Sequence, residues 1–411
     1  MRRAEAIVVF AVIAGAFFTG LDRVPFHVDE SHWIGLSAPF EAFFSGRFSD
    51  PIWQERQDKA VGATVTYYVI GAARRIGGFP PERLNRPWRW FASEEENIAE
   101  GRMPEPQLLW WARAGVTTAA IVALFVFFRL LSRAAGRPAA YAWLALALVN
   151  PYLRETLRHA MTEGVLLLFL ALVIWAASRA LPHLDRSPDA PGARARAAAW
   201  LFAAAVAAGL AAQTKLNGSL AVPGMVIVTA LAAVRAPGPW GRRVRRAALA
   251  SALVAGVSWG TFIGANPTLW PDPVRETIRT VRARVEVTRV QERLPDGRGL
   301  TGKPRRADIV LTRVFSDHAL VPLTIAGPVL FVAGVTAAVA GLVGWMRRAS
   351  QNHALVSLLV VGAIVSVPML LTPLDRPRLY MLPVFFFGLA TAAGLAWLAG
   401  RVRQAVRGAR A

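Results

Sequence analysis

Stretches of apolar residues alternate with short polar segments along this chain, and most of them are long enough to cross a membrane as a helix. About 20 apolar residues are needed to span the roughly 30 Å hydrocarbon core of a bilayer. The pattern predicts about ten spanning helices. We place them at residues 5–22, 108–131, 139–153, 159–181, 197–213, 216–234, 247–265, 319–345, 354–372 and 379–400.

Two longer polar segments separate these helices, at residues 22–107 and 266–318. In the first, the apolar side chains of Ser31–Phe44 predict an amphipathic helix on the membrane interface. The apolar patch at 60–73 is too short for a span, which indicates an interfacial or re-entrant segment. In the second loop, Val274, Ile278, Val281 and Val285 recur at helical spacing, with arginines between them. We expect another amphipathic helix there.

The charge of the chain sets its expected orientation. A net charge of +21 would indicate nucleic acid in a soluble protein, but here the arginines are concentrated in the short loops between spans. Arginine-rich short loops face the cytoplasm. We therefore expect one multi-pass module over residues 1–411 in the plasma (inner) membrane. Both termini would be cytoplasmic, both long loops extracytoplasmic, and the partners would be membrane lipids and not nucleic acid.

An unusual polar cluster follows the first apolar segment directly, with Asp29 and Glu30 flanked by His27 and His32. One interpretation is that the two carboxylates only cap a helix that begins at Ser31. The alternative is an active site at the outer membrane boundary. The two histidines could ligate a metal, but two histidines without further spacing do not predict one. No cofactor is therefore predicted, and the sequence leaves open whether a divalent ion takes part.

Further charged and polar residues lie at the predicted outer ends of four other spans. Charges in or near spans are costly and are candidates for function. For each residue there is a simpler reading: an arginine can extend to lipid headgroups, and a carboxylate can pair locally. The residues are Arg113, Arg158, Glu163, Lys215, Arg378 and Tyr380.

Such a layer could carry out transfer from a lipid phosphate. A carboxylate would accept a proton from an acceptor hydroxyl, and cations would hold the departing phosphate. No glycine-rich phosphate loop, H-E-x-x-H motif or cysteine is present. A substrate delivered within the membrane fits this pattern better than a soluble nucleotide.

In the order of these motifs, the chain resembles the GT-C superfamily of polyprenyl-phosphate-sugar-dependent glycosyltransferases. It looks most like the protein O-mannosyltransferases and the bacterial aminoarabinose transferases of lipid A. The matching pieces are Asp29-Glu30, Ala112-Arg113, 158–164, 209–215, Asn266-Pro267 leading to Pro271-Asp272-Pro273, and 378–383. Asp58-Lys59 stands where relatives often have His-Pro-Pro, and Lys59 joins His27 and His32 as a candidate pocket residue.

The resemblance implies an all-α GT-C-like bundle and an inverting transferase whose active site faces away from the cytoplasm. It implies Asp29 as general base, with Glu30 beside it as the second catalytic residue. Arg113 and Lys215 would contact the carrier phosphate or support the carboxylates. The donor would be a polyprenyl-phosphate-linked hexose or pentose, and the acceptor a protein, lipid or polysaccharide.

The second hypothesis is a polytopic transporter or lipid flippase without glycosyl transfer. Transporters often contain inverted repeats with broken helices near the bilayer midplane. The sequence has no such internal symmetry, and its unusual polar residues cluster at one predicted face. These observations favour the transferase.

Overall fold

A computed structural model describes residues 3–54, 63–185, 192–293, 299–300, 306–320, 326–347, 350–371 and 373–408. Within these residues the regular structure is helical, apart from one isolated bridge between Gly299 and Leu374. In chain order the α-helices are α1 Arg3–Phe18, α2 Val28–Gly35, α3 Pro39–Phe44, α4 Thr64–Ile76, α5 Glu94–Ala99, α6 Pro106–Ala134, α7 Arg137–Val149, α8 Pro151–Thr156, α9 Thr162–Asp185, α10 Ala193–Thr214, α11 Ala221–Arg235, α12 Trp240–Gly264, α13 Pro273–Arg293, α14 Arg306–Thr312, α15 Ala326–Met346, α16 His353–Leu370 and α17 Met381–Gly408.

Each predicted span overlaps a helix in the described part of the chain. Eight helical segments in the described part of the chain are long and apolar enough to cross a membrane, and two further apolar helices, Arg137–Val149 and His353–Val367, are shorter. The chain is thus a multi-pass membrane protein with an all-α bundle. The number of ten crossings stays a prediction, because it depends on how the two shorter helices lie in the bilayer.

The centre of the bundle is α9, which packs against α6, α10, α11 and α16. Its sequence is apolar on nearly all sides, as expected of a helix enclosed by others. Gly164 lets α9 approach α6 closely, because a Cβ atom there would lie 2.8 Å from the carbonyl oxygen of Val116. The first turn of α9, which carries Glu163, is therefore held against α6.

The helix expected over Ser31–Phe44 is wrong in one respect: the structure has two short helices there, α2 and α3. Pro39 contributes to the break, because it has no backbone N–H with which to extend the hydrogen bonding of α2 beyond Gly35. The Ser37 hydroxyl also donates a hydrogen bond to the carbonyl of Ile34 across the break. As a result α2 and α3 have separate directions, and only α2 contributes to the site below.

The short apolar patch of the first loop forms α4, which is mostly buried against α6 and α3. At 1.5 Å per residue its 13 residues extend roughly 20 Å, less than the hydrocarbon core. Arg74 near its end is fully buried and binds Glu41 of α3 at 2.6 Å. Packing within the protein therefore fixes α4.

In the second loop, α13 exposes the apolar stripe that its sequence predicts. Val274, Ile278, Val281 and Val285 are each 40–56% exposed. Such a stripe is typical of a helix that lies on a membrane surface. The face away from this stripe turns toward the cavity described next.

Candidate active site

The Asp29-Glu30 pair lies in the first turn of α2, and its backbone is fixed by a reciprocal cap. His27 accepts a hydrogen bond from the backbone N–H of Asp29 through Nδ1 at 3.1 Å. The Glu30 carboxylate in turn accepts from the backbone N–H of His27 at 3.1 Å. Consecutive helical residues point about 100° apart. The two carboxylates therefore face different surroundings, although both are buried.

Glu30 points into the bundle and forms a two-pronged ion pair with Arg113 of α6. The distances are 2.8 Å from Nε to Oε1 and 2.7 Å from Nη2 to Oε2. The backbone N–H of Ala160 donates a further bond to Oε1 at 2.8 Å. Both side chains are almost completely inaccessible. This pair therefore joins α2, α6 and the segment before α9, and neither partner lines the cavity.

Asp29 points the other way, into a cavity of about 550 Å³. The cavity lies between α2, the turn at Leu216–Leu220 after α10, α13 and the segment that leads into α17. Asp29 forms an ion pair with Arg378 of that last segment. Among the described residues that line the cavity, Asp29 is the only carboxylate.

Four cationic side chains line the same cavity and give it a net positive charge. They come from three different parts of the chain: Lys215, Arg284, Arg376 and Arg378. Lys215 is anchored by Glu163 of α9, with 2.7 Å between Nζ and Oε1. The other Glu163 oxygen, Oε2, is buried and has no hydrogen-bond partner in the described part of the chain. Such a cavity favours an anionic ligand.

Aromatic and small polar groups complete the wall. Trp33 and Trp90 line the cavity beside Thr162, Asn217 and Gln291. A mixture of apolar surface with a few directed polar groups is typical of ligand sites. The cavity therefore offers charge for a phosphate and aromatic surface for a sugar-sized group.

Electrostatics affects two groups here that lie outside the spans. Burial, together with the nearby charges of Arg378 and His159, lowers the pKa of His27 from 6.5 to about 4. Neutral His27 is the form that can accept the hydrogen bond from Asp29. Burial and the positive charge of Arg376 also lower the pKa of Arg284, although an arginine stays protonated at physiological pH.

The other residues predicted from sequence are placed as follows. His32 lines the cavity, whereas His27 is not among its lining residues and caps α2. Arg158 turns away from the cavity and donates to the carbonyl of Thr19 at 2.8 Å. Tyr380 is buried behind the wall, where its hydroxyl donates to Asp375 at 3.1 Å. Lys59 lies outside the described residues.

No group of three or more histidine, aspartate or glutamate side chains that could hold a metal ion occurs within the described ranges. His27 and His159 lie near each other, with ring centroids 5.6 Å apart.

The sequence did not single out Arg284, and it indicated Arg376 only as one of the charges that introduce the last helix. Arg284 could not be distinguished by sequence from the other arginines of α13, most of which are exposed. A signal was nevertheless present, because Arg284, Val287 and Gln291 share one face of the helix and all three line the cavity. Arg376 directly precedes the short 3-10 helix Pro377–Tyr380, Arg378 lies within that helix, and both side chains line the cavity.

Comparison with known proteins supports this architecture. Residues 91–266, less than half of the chain, match the family model described as dolichyl-phosphate-mannose-protein mannosyltransferase. Among solved structures, ArnT from Cupriavidus metallidurans bound to undecaprenyl phosphate matches with a TM-score of 0.55 and 19% identity. This match covers 96% of the present chain and 60% of ArnT. The fold is that of the GT-C glycosyltransferases.

A second GT-C structure is similar over nearly the whole chain. The oligosaccharyltransferase from Archaeoglobus fulgidus in its apo form matches with a TM-score of 0.51 and 13% identity. That match covers 99% of this chain and 52% of the archaeal enzyme. The chain thus spans little more than half the length of these GT-C proteins. No curated protein sequence matches it.

The GT-C resemblance inferred from the order of motifs is therefore confirmed at the level of the fold. The residues that match the mannosyltransferase model include Arg113, Glu163 and Lys215. Asp29 and Arg378 lie outside the matched range, so the family model does not bear on these two residues.

Proposed function

We propose that the chain is an integral membrane glycosyltransferase that moves a sugar from a polyprenyl-phosphate-linked donor to an acceptor hydroxyl. The observation that carries this proposal is that Asp29 is the one carboxylate, beside four cations, among the described residues that line the cavity. The GT-C fold and the undecaprenyl phosphate bound to the ArnT structure support a polyprenyl-phosphate donor. The plasma (inner) membrane, with this cavity on its extracytoplasmic side, is the location that the arginine-rich short loops favour.

The reaction that these groups fit is a single displacement. The acceptor oxygen forms a bond to the anomeric carbon while the bond from that carbon to the phosphate oxygen breaks. The acceptor proton passes to the Asp29 carboxylate, and the polyprenyl phosphate leaves with both electrons of the broken bond. In inverting glycosyl transfer, a carboxylate base activates the nucleophile on the face opposite the leaving group.

The cations have a separate task in this mechanism. Negative charge develops on the departing phosphate, and fixed positive groups that already surround it stabilise the transition state. Lys215, Arg284 and Arg376 reach the cavity and can bind this phosphate. Arg378 forms an ion pair with Asp29 and thereby helps to position the base.

Glu30 and Arg113 take a supporting role in this proposal. Their hydrogen bonds are directed at each other and at the backbone, away from the cavity. They fix the direction of α2, and thereby the position of Asp29. Of the two roles that the resemblance allowed for Arg113, the geometry favours support of the carboxylates over contact with the phosphate.

The decisive experiment compares Asp29→Asn with wild type in purified full-length protein. The probes are radiolabelled polyprenyl-phosphate mannose, glucose and aminoarabinose, supplied with membrane extract as acceptor and without an ion gradient. We expect label transfer by wild type and a loss of at least about 1,000-fold in the variant. Glu95→Gln, an exposed acid outside the cavity, is the matched control and should retain wild-type activity.

Equal transfer by Asp29→Asn and wild type, with both folded by thermal melting, would remove Asp29 as the base. Gradient-dependent movement of the labelled lipid across vesicles, without label in any acceptor, would instead support the flippase hypothesis.

A further inference from the structure

A second cavity, of about 520 Å³, lies between the end of α9 and the beginnings of α10 and α12. It is separate from the active-site cavity, and none of the described residues lines both. Its lining combines arginines with alanine and leucine side chains. We propose that this cavity binds an anionic phospholipid, with the headgroup phosphate on the arginines and part of an acyl chain against the apolar wall.

The position of the cavity along α9 supports a site at a membrane surface. Thr162 at the start of α9 lines the active-site cavity, and His183 near its end lines the second one. His183 follows Thr162 by 21 positions, which corresponds to a rise of roughly 32 Å along a helix. This distance matches the thickness of the hydrocarbon core. The two cavities therefore lie at opposite surfaces of the membrane.

The positive charge of the cavity also supports an anionic ligand. Arg194 in the first turn of α10, and Arg242, Arg245 and Arg246 in the first two turns of α12, all line the cavity. No carboxylate lines it among the described residues. Four guanidinium groups on two helices repel one another when the space between them holds no anion. A phosphate bridging α10 and α12 would remove that repulsion.

The apolar wall shows why a lipid fits better than a free phosphate. Below the arginines, Ala197, Ala198 and Leu201 of α10 face Leu249, Ala250 and Leu253 of α12. Leu249 is 61% exposed, which places the opening of the cavity on the membrane-facing side of the bundle. Inorganic phosphate could use the arginines but would leave this surface uncovered. An acyl chain would cover it.

The test is native mass spectrometry of the full-length protein in detergent, titrated separately with dioleoyl phosphatidylglycerol, dioleoyl phosphatidylcholine and inorganic phosphate. The cavity variant is Arg194→Gln/Arg245→Gln, which keeps the helices intact because both side chains are exposed. The matched control is Arg129→Gln/Arg133→Gln, two arginines near the end of α6 outside the cavity. A third variant, Ala198→Trp, fills part of the space along the apolar wall without changing the charge of the cavity.

We expect phosphatidylglycerol to bind wild type and control equally, and to bind the cavity variant about thirtyfold more weakly. Ala198→Trp should also weaken this binding, although all four arginines remain. Similar losses in the cavity variant and the control would mean a general effect of surface charge and would overturn the proposal. So would equal binding of phosphatidylcholine, or binding of inorganic phosphate as tight as that of the lipid.

Discussion

Arg113 donates all five of its N–H groups, two to Glu30 and the others to the backbone carbonyls of Leu21, Val24 and Pro25. These carbonyls belong to the segment that joins α1 to α2. A single buried guanidinium therefore fixes both the chain that leads into α2 and the second residue of the Asp-Glu pair. The direction of the neighbouring Asp29 side chain therefore depends on the ion pair between Glu30 and Arg113, in which Asp29 takes no part.

The first prediction concerns the stability of this pair. Arg113→Met should lower the free energy of unfolding by about 3–5 kcal/mol, because it leaves the Glu30 carboxylate buried and uncompensated. Glu30→Gln/Arg113→Met should be more stable than Arg113→Met alone, since the second change removes the stranded charge. Thermal unfolding of the purified proteins measures both effects.

The control for this pair is Arg89→Gln, which breaks the exposed ion pair between Arg89 and Glu100. An exposed pair contributes about 0.2–1 kcal/mol, so this variant should melt close to wild type. If the double variant lost as much stability as its two single variants together, the proposed coupling between Glu30 and Arg113 would be wrong.

The second prediction separates structure from activity at Lys215. Lys215→Met should lower kcat/KM for sugar transfer by about 100-fold, because a cation of the cavity is lost. It should also lower stability, since Glu163 is then left buried and unpaired. Adding Glu163→Gln should restore stability but not activity. Recovery of transfer in the double variant would show that Lys215 acts only by neutralising Glu163.

The third prediction concerns acid stability at the cap of α2. The folded-state pKa of His27 is about 4, below its ordinary value of 6.5. Between these values the unfolded chain binds a proton that the folded protein does not, so stability falls as the pH is lowered. The contribution of His27 is therefore complete above pH 6.5 and is lost toward pH 4. Protonation also removes the Nδ1 acceptor for the backbone N–H of Asp29.

Melting temperatures at pH 7.0 and pH 5.0 check this expectation. His27→Asn keeps a side-chain acceptor at the cap but cannot titrate in this range. Its melting temperature should fall less on acidification than that of wild type. An equal fall in both proteins would assign the acid sensitivity to other groups.

The sequence predicted candidate site residues at several helix starts, and the structure brings three of them, Asp29, Lys215 and Arg378, to one cavity. A carboxylate pair beside a span, and charges such as Arg113 and Lys215 inside apolar segments, are costly enough to be recognised without coordinates. The sequence could not show which of the two carboxylates, Asp29 or Glu30, faces the cavity. That depends on the rotation of α2 about its axis, and a rotation of about 100° would exchange the directions of the two side chains.

Side-chain direction also explains why other predicted residues lie away from the cavity. Arg158 and Tyr380 occupy the expected layer, yet Arg158 turns to the end of α1 and Tyr380 turns to Asp375. Only tertiary packing determines this choice, since a long polar side chain at a helix start can reach either way. For the same reason the sequence does not show that Arg284 points into the cavity, since the nearby arginines of α13 are exposed.

The last prediction therefore tests Arg284 against a neighbour on its own helix. Arg284→Gln should raise KM for the polyprenyl-phosphate donor about tenfold or more, because a charge-assisted hydrogen bond to the phosphate is lost. Arg282→Gln removes the same charge two residues away, but Arg282 is exposed and outside the cavity. A general attraction of α13 to anionic lipid would make the two variants equally impaired. A phosphate site in the cavity requires that only Arg284→Gln be impaired, and that the melting temperatures of both variants match wild type.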